Sequence, residues 1–166
     1  MKHLFLIIST FLVMQTQAQL VPPLREQTNY HFSHTDSTSV SSDKIWQVWT
    51  DVPNWKQWDK GLKEAFLDGE FVVGTKGKLI PDKGPKSKFV ISELVPNKSY
   101  TFKTKIPFGW LIIKRTLEVK EGKTFFTHDV QFTGFLKKIL GNKLGKNYRA
   151  MLPSVLSEIK LIAERK

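Results

Sequence analysis

The chain has 166 residues, a formal charge of +11 and no cysteine. Thiol catalysis, thiolate metal sites and disulfides are therefore excluded, and stability has to come from packing alone. The basic excess suits anionic neighbours such as lipid head groups or acidic glycans, or else a lysine-rich solvated surface.

Lys2, the apolar run from Leu4 to Met14 and the small-residue pattern Thr16-Gln17-Ala18 read as a signal peptide over residues 1–18, cleaved after Ala18. The apolar run is shorter than the ~20 residues a spanning helix needs, although retention as an anchor is the alternative reading. Export, periplasmic or secreted, makes nucleic acid the weakest candidate partner. Residues 19–28, with Pro22 and Pro23, read as a flexible leader, and residues 29–166 as a single monomeric domain.

The alternation of Tyr30, Phe32 and His34 predicts a first strand over Asn29 to Ser37, with a polar second face that suits a sheet edge. Ser41 stands where an N-cap would, with Val40 and Ile45 placed as a hydrophobic staple. Ile45, Val48, Trp49 and Val52 then form one apolar helical face. Pro53 opens a second short helix that puts Trp55 and Trp58 on one side and ends at Gly61.

Six further strands are predicted: Leu62 to Asp68, Thr75 to Ile80, Lys88 to Leu94, Ser99 to Ile106, Leu111 to Lys120 and Thr124 to Thr133. The glycine and proline punctuation between them is too short for helical crossovers, so the sheet is an antiparallel meander. From Phe135 to Lys166 the chain is helical by pattern, with Leu144, Tyr148, Leu152, Val155, Ile159 and Ile162 on the apolar face and a bend expected at Pro153.

The motifs W-x-x-W-x-D-V-P-N-W-x-x-W-D, LDGEFVVGTKGKL, ISELVPNKSYTF and RTLEV-x-x-GKTFFTHDVQFTG, followed by a basic-then-apolar closing helix, carry a resemblance. Over Tyr30 to Glu164 the chain resembles the polyketide cyclase/dehydrase and lipid-transport family of the START-related, birch-pollen-allergen-like (SRPBCC) superfamily. The resemblance implies an α+β helix-grip fold: a seven-stranded curved antiparallel sheet wrapped around a long C-terminal helix, with two short helices after the first strand. It also implies an elongated cavity for an apolar or amphipathic small molecule, held for carriage or sequestration, with no cofactor. Cyclase- or dehydratase-type chemistry is the alternative.

Strand parity then selects what faces such a cavity. The expected lining is Trp55 and Trp58 from the second helix, Phe89 and Ile91 from the fourth strand, and Tyr100 and Phe102 (with Thr104 and Ile106) from the fifth. The sixth strand adds Ile113, Arg115 and Leu117, with Leu111 and Val119 on the same face, the seventh Phe126, His128 and Val130, with Phe132 on the same face, and the closing helix Tyr148 and Leu152. Trp49 is assigned to the core, and Trp110 to an exposed rim as a lid element or membrane toe.

Arg115 and His128 stand out as polar groups on oily faces. Either they orient a ligand oxygen, and in the enzymatic alternative supply acid–base chemistry, or Arg115 pairs with Glu93 or Glu64 and His128 bonds to backbone. No metal site is expected, because His31 and His34 point to opposite faces of one strand. The segment KKILGNKLGKNYR, basic and free of carboxylates, suits transient adhesion to an anionic membrane, with Gly141 and Gly145 loosening the way in.

Overall fold

The structure, a computed structural model, describes residues 26–165. The stretch read as a signal peptide, and the leader up to residue 25, lie outside the described residues. Gln27 and Thr28 are tied to the first strand rather than loose. The Ser33 amide donates to Gln27 Oε1 at 2.8 Å, and the Thr28 amide to the His31 carbonyl at 2.9 Å.

Seven strands form one antiparallel sheet: β1 (His31–Thr38), β2 (Leu62–Leu67), β3 (Lys76–Pro81), β4 (Ser87–Val95), β5 (Ser99–Ile106), β6 (Gly109–Lys120) and β7 (Lys123–Phe132). Their order is β1-β7-β6-β5-β4-β3-β2, a meander with β1 returned to its far edge. Helix α1 (Ser42–Thr50) and a 3₁₀ helix (Val52–Gln57) follow β1. The C-terminal rod comprises α2 (Lys137–Leu140), a π-helical turn (Gly141–Gly145) and α3 (Lys146–Arg165). This is the helix-grip arrangement, and α3 packs against β1 and α1.

Local chemistry accounts for these elements with a few departures. Ser41 is the N-cap of α1, but its hydroxyl makes no capping bond. Ile45, Val48, Trp49 and Val52 are all buried, as their spacing demands, and Pro53 sits in the first turn of the 3₁₀ helix, where its missing N–H costs nothing. On β6, by contrast, Val119 is 62% exposed although its parity is inward, because this 12-residue strand runs on beyond the core into the β6–β7 hairpin.

The closing helix is α-helical through Pro153, and its departure from α geometry falls instead at the π turn. A π turn spaces its bonds five residues apart and shifts the phase of the apolar face. Leu144, in that turn, is accordingly exposed, whereas Leu152, Val155 and Ile159 are buried. Gly141 and Gly145 do not loosen the segment. A Cβ on Gly145 would stand 2.0 Å from the Asn29 carbonyl oxygen, and one on Gly141 2.6 Å from Tyr30 Cβ, so these glycines let the rod press directly on the chain leading into β1.

Candidate ligand-binding site

The interior is mostly filled by its own side chains. Phe126, Val130, Phe132, Leu156 and Ile159 are buried among the rings of Trp49, Trp55 and Trp58. What remains between sheet and helix is a hollow of about 120 Å³. Its walls are Trp55, Asp59 and Leu62 beside the 3₁₀ helix, Leu79 and Ser87 from β3 and β4, Phe102 and Thr104 from β5, Leu111, Ile113 and Arg115 from β6, and Tyr148 from α3.

Register explains where the hollow stops. Leu111, Ile113 and Arg115 are successive inward residues of β6, paired across to Thr104, Phe102 and Tyr100. Arg115 is the last of the three to line the space, and the next inward residue, Leu117, lies beyond it opposite Phe126. Of the residues expected to line it, Trp55, Phe102, Ile113, Arg115 and Tyr148 face the hollow, as do Thr104 and Leu111 on the same strand faces. Trp58, Phe89, Ile91, Tyr100, Leu117, Phe126, His128, Val130 and Leu152 pack around it without bordering it.

Arg115 is the polar centre of the site, with 1% of its surface exposed. Its guanidinium carbon lies 4.8 Å from the Trp55 ring centroid and 4.7 Å from that of Trp58, so two indole faces wall the cation. Nη1 donates to the Tyr100 hydroxyl, and Nε has no protein partner. The Tyr100 hydroxyl in turn donates at 3.3 Å to the carbonyl of Trp49, which also accepts the Trp55 indole N–H at 2.8 Å. That carbonyl belongs to the last turn of α1, whose orphan acceptors and negative dipole end are thereby directed toward the cation.

The alternative pairings of Arg115 do not form. Glu93 accepts from Thr101 at 2.8 Å, and among the described residues no carboxylate stands at ion-pair distance from the guanidinium. Burial pushes the Tyr100 phenol up to about 12 despite the neighbouring cation, so it stays neutral. His128, paired in register with Arg115, has neither ring nitrogen hydrogen-bonded, and so does not bond to backbone. Its ring lies 5.6 Å from Trp49 and 6.0 Å from Trp58, and burial, with Arg115 second, holds it well below the usual imidazole range. His34 faces the same side as His128, whereas His31 turns outward to the Asp129 carboxylate at 3.2 Å.

Asp59 and Thr104 complete the polar set. The hydroxyl of Thr104 is buried without a partner. The Asp59 carboxylate accepts the Gly61 amide at 3.0 Å and is raised from its usual range chiefly by burial, with that bond and Arg115 opposing the rise. Sequence reasoning missed Asp59, although it closes the quoted W-x-x-W-D motif at the end of the 3₁₀ helix. Asp59, Leu62 and Tyr148 also border an outer depression of about 570 Å³ with Leu144, Met151, Lys143 and Lys83, so the hollow and the depression share these walls. A separate depression along β2, β3 and β4 includes neither Arg115 nor any residue of α3.

Trp110 is partly exposed at the rim, near the tip of the β5–β6 hairpin, where Phe108 is 79% exposed. The Thr133 amide donates to the Trp110 carbonyl at 2.8 Å, which brings this tip beside Phe135, 92% exposed.

No protein-family model and no curated protein matches the chain. Solved structures do. A hypothetical protein, jhp0584, from Helicobacter pylori superposes with a TM-score of 0.66 at 10% identity, covering 95% of this chain and 99% of its own. Ara h 8.0201 superposes with a TM-score of 0.65 at 14% identity over 82% of this chain and 98% of its own. DynU16, described as a putative protein in the dynemicin biosynthetic locus, gives 0.63 at 14% identity over 81% of this chain and 47% of its own. At these identities the likeness establishes the fold, helix-grip of the birch-pollen-allergen-like kind, and that is what the chain shares with them.

Proposed function

We propose that the protein binds a hydrophobic or amphipathic small molecule between sheet and helix, for carriage or sequestration. The observation that carries this reading is a buried, unpaired guanidinium at the inner end of an otherwise apolar hollow whose outer walls continue into a larger surface depression. Small-molecule sites commonly combine apolar walls with a few placed polar groups. At about 120 Å³ the inner hollow suits one end of a ligand, and the depression the remainder. Acid–base catalysis by His128 has no support from the geometry, since its ring does not border the hollow. Export, read from residues 1–18, would place this binding outside the cytoplasm. Native mass spectrometry of the purified protein, followed by organic extraction, tests the reading. A co-isolating apolar compound is expected; its absence, together with no uptake of any added apolar probe, refutes it.

We further propose that ligand passes to and from an anionic membrane surface. Phe108, Trp110, Phe135 and Ile139 are exposed at the adjoining hairpin tip and α2. Lys103, Lys105, Lys137, Lys138, Lys143 and Lys146 lie in the same segments, which contain no carboxylate, and Lys103 Nζ stands 5.9 Å from the Trp110 ring centroid. Exposed aromatics set among lysines suit a headgroup interface. Wild type is expected to float with phosphatidylglycerol vesicles and not with phosphatidylcholine ones. Replacing Lys137, Lys138, Lys143 and Lys146 by Gln should abolish flotation, and no change would end the idea.

A further inference from the structure

We propose that the ligand of this hollow is an organic monocarboxylate, its carboxylate facing Arg115 and its apolar body passing Thr104 and Tyr148 toward Leu144 and Met151. The inference rests on the ligand-binding reading above and gives it a chemical class.

The argument begins with charge. Arg115 is permanently cationic and buried, and a buried cation is costly unless an anion or a set of hydrogen bonds compensates it. The protein supplies only part of that compensation: two indole faces, one phenol that stays neutral, and the end of a helix of nine residues. His128 beside it is held neutral and adds no second positive charge, and among the described residues no carboxylate stands at ion-pair distance from Arg115. Asp59 also lines the hollow and its charge is felt by Arg115, but it stands outside ion-pair distance, with one oxygen accepting the Gly61 amide.

Hydrogen-bond geometry adds a second, independent observation. Arg115 and Thr104 both line the hollow, and both keep a buried polar atom without a protein partner, Nε and Oγ1. A carboxylate accepts from the guanidinium and matches the plane of its fork, whereas Thr104, level with Leu111 and four residues from Arg115 along the strands, lies farther out along the hollow. A neutral carbonyl or alcohol would meet these donors but leave the charge uncompensated. Phosphate or sulfate esters are disfavoured, because a single cation lines the hollow and its remaining walls are largely aromatic and aliphatic.

Charge also sets the orientation. The depression outside carries Leu62, Leu144 and Met151 as apolar wall, and its three lysines, Lys60, Lys83 and Lys143, are partly offset by Asp59 and Asp82, so the uncompensated cation is the buried one. An apolar body there follows a carboxylate that has gone in first.

Isothermal titration of the full chain with matched probes tests the assignment. The pairs are decanoate with decanol and hydrocinnamate with hydrocinnamyl alcohol, at neutral pH below any micelle concentration. Each acid is expected to bind at least about tenfold more tightly than its alcohol, as charge-assisted hydrogen bonds require. Arg115→Met should abolish that preference while alcohol binding remains. Asp59→Asn, which removes a competing carboxylate, should raise the preference further. If Arg115→Met fails to fold, judged by circular dichroism, the wild-type ratio and the Asp59→Asn variant decide. Alcohols binding as tightly as acids would overturn the carboxylate assignment and leave ligand binding intact. Failure of all four probes, and of every other apolar probe, would overturn both.

Discussion

The two halves of the interior are built from similar residues yet differ in kind. On one side of Arg115, Trp49, Phe126, His128 and Leu156 are fully buried between sheet and helix. There the end of α3 is fastened to β1, with the Thr38 hydroxyl donating to Glu164 at 2.7 Å and Lys160 standing 3.8 Å from Asp36. On the other side the same strands carry Leu111, Ile113, Phe102 and Thr104 around open volume, and the rod above them is a π turn leading into α3. Tightness in one half holds the fold, and looseness in the other is what a guest would use. Arg115 stands at the boundary between them.

The largest expected effect tests that division directly. Trp49→Ala removes a ring packed against Tyr100, Phe126 and His128 at centroid distances of 6.0, 6.5 and 5.6 Å. It should cost about 3–5 kcal/mol in urea unfolding, because a filled half cannot relax around the cavity. Leu111→Ala, in the half that already contains space, should cost less than about 2 kcal/mol, at the low end of such truncations. Equal losses would show that the halves are packed alike.

Next comes the junction between the rod and the chain entering β1. Gly145→Ala in an ordinary helix would gain up to about 1 kcal/mol of propensity. Here the new methyl meets the Asn29 carbonyl at 2.0 Å, and the expected outcome is a net loss of about 1–3 kcal/mol together with altered exchange of the amides around Asn29. A gain in thermal stability would mean that the rod does not press on that segment.

Much of this fold was legible because its signals are local. Strand ends followed glycine and proline, the first helix followed the spacing of Ile45, Val48 and Trp49, and parity alone turned Tyr100, Phe102, Arg115 and His128 inward. The site was less legible, because parity tells which way a side chain points but not how far along the strand open space continues. Leu117 satisfies the same rule as Ile113 but lies beyond Arg115, opposite Phe126, and Val130 stands directly beside Ile113 on β7, a strand that contributes nothing to the walls of the hollow. Leu144 was misplaced for a related reason: a helical periodicity cannot anticipate a π turn forced by a neighbouring backbone. Asp59 escaped notice because a carboxylate beside a turn ordinarily faces water.

The filled half makes its own prediction about pH. His128 titrates far below its usual value of 6.5 in the folded protein, so between that depressed value and 6.5 the unfolded chain binds a proton that the native state does not. The associated stability is complete above pH 6.5 and is lost as pH falls, by up to about 1.4 kcal/mol per unit. His128→Leu removes this slope. It also replaces two unpartnered ring nitrogens by hydrocarbon, so the variant should match or exceed wild type at neutral pH and clearly surpass it near pH 5. Urea midpoints measured across that range check it, and an unchanged slope would show that the imidazole is solvated or bonded after all.

The open half predicts the opposite sign, with a smaller effect. Burial raises the Asp59 carboxyl above its ordinary value of 3.8, which means that the unfolded chain gives up this proton first as pH rises. The contribution of Asp59 to stability is therefore fully present below 3.8 and is lost as pH climbs through the raised value, leaving a deficit at neutrality. Asp59→Asn keeps an oxygen for the Gly61 amide and removes the charge, so it should be more stable than wild type at pH 7 and converge with it under acid. A residue that lowers stability yet borders both the hollow and the depression has the character of a functional group rather than a structural one. If Asp59→Asn instead destabilises the protein at pH 7, the carboxylate is holding Arg115 in place, and the boundary between the two halves is an ion pair across the hollow.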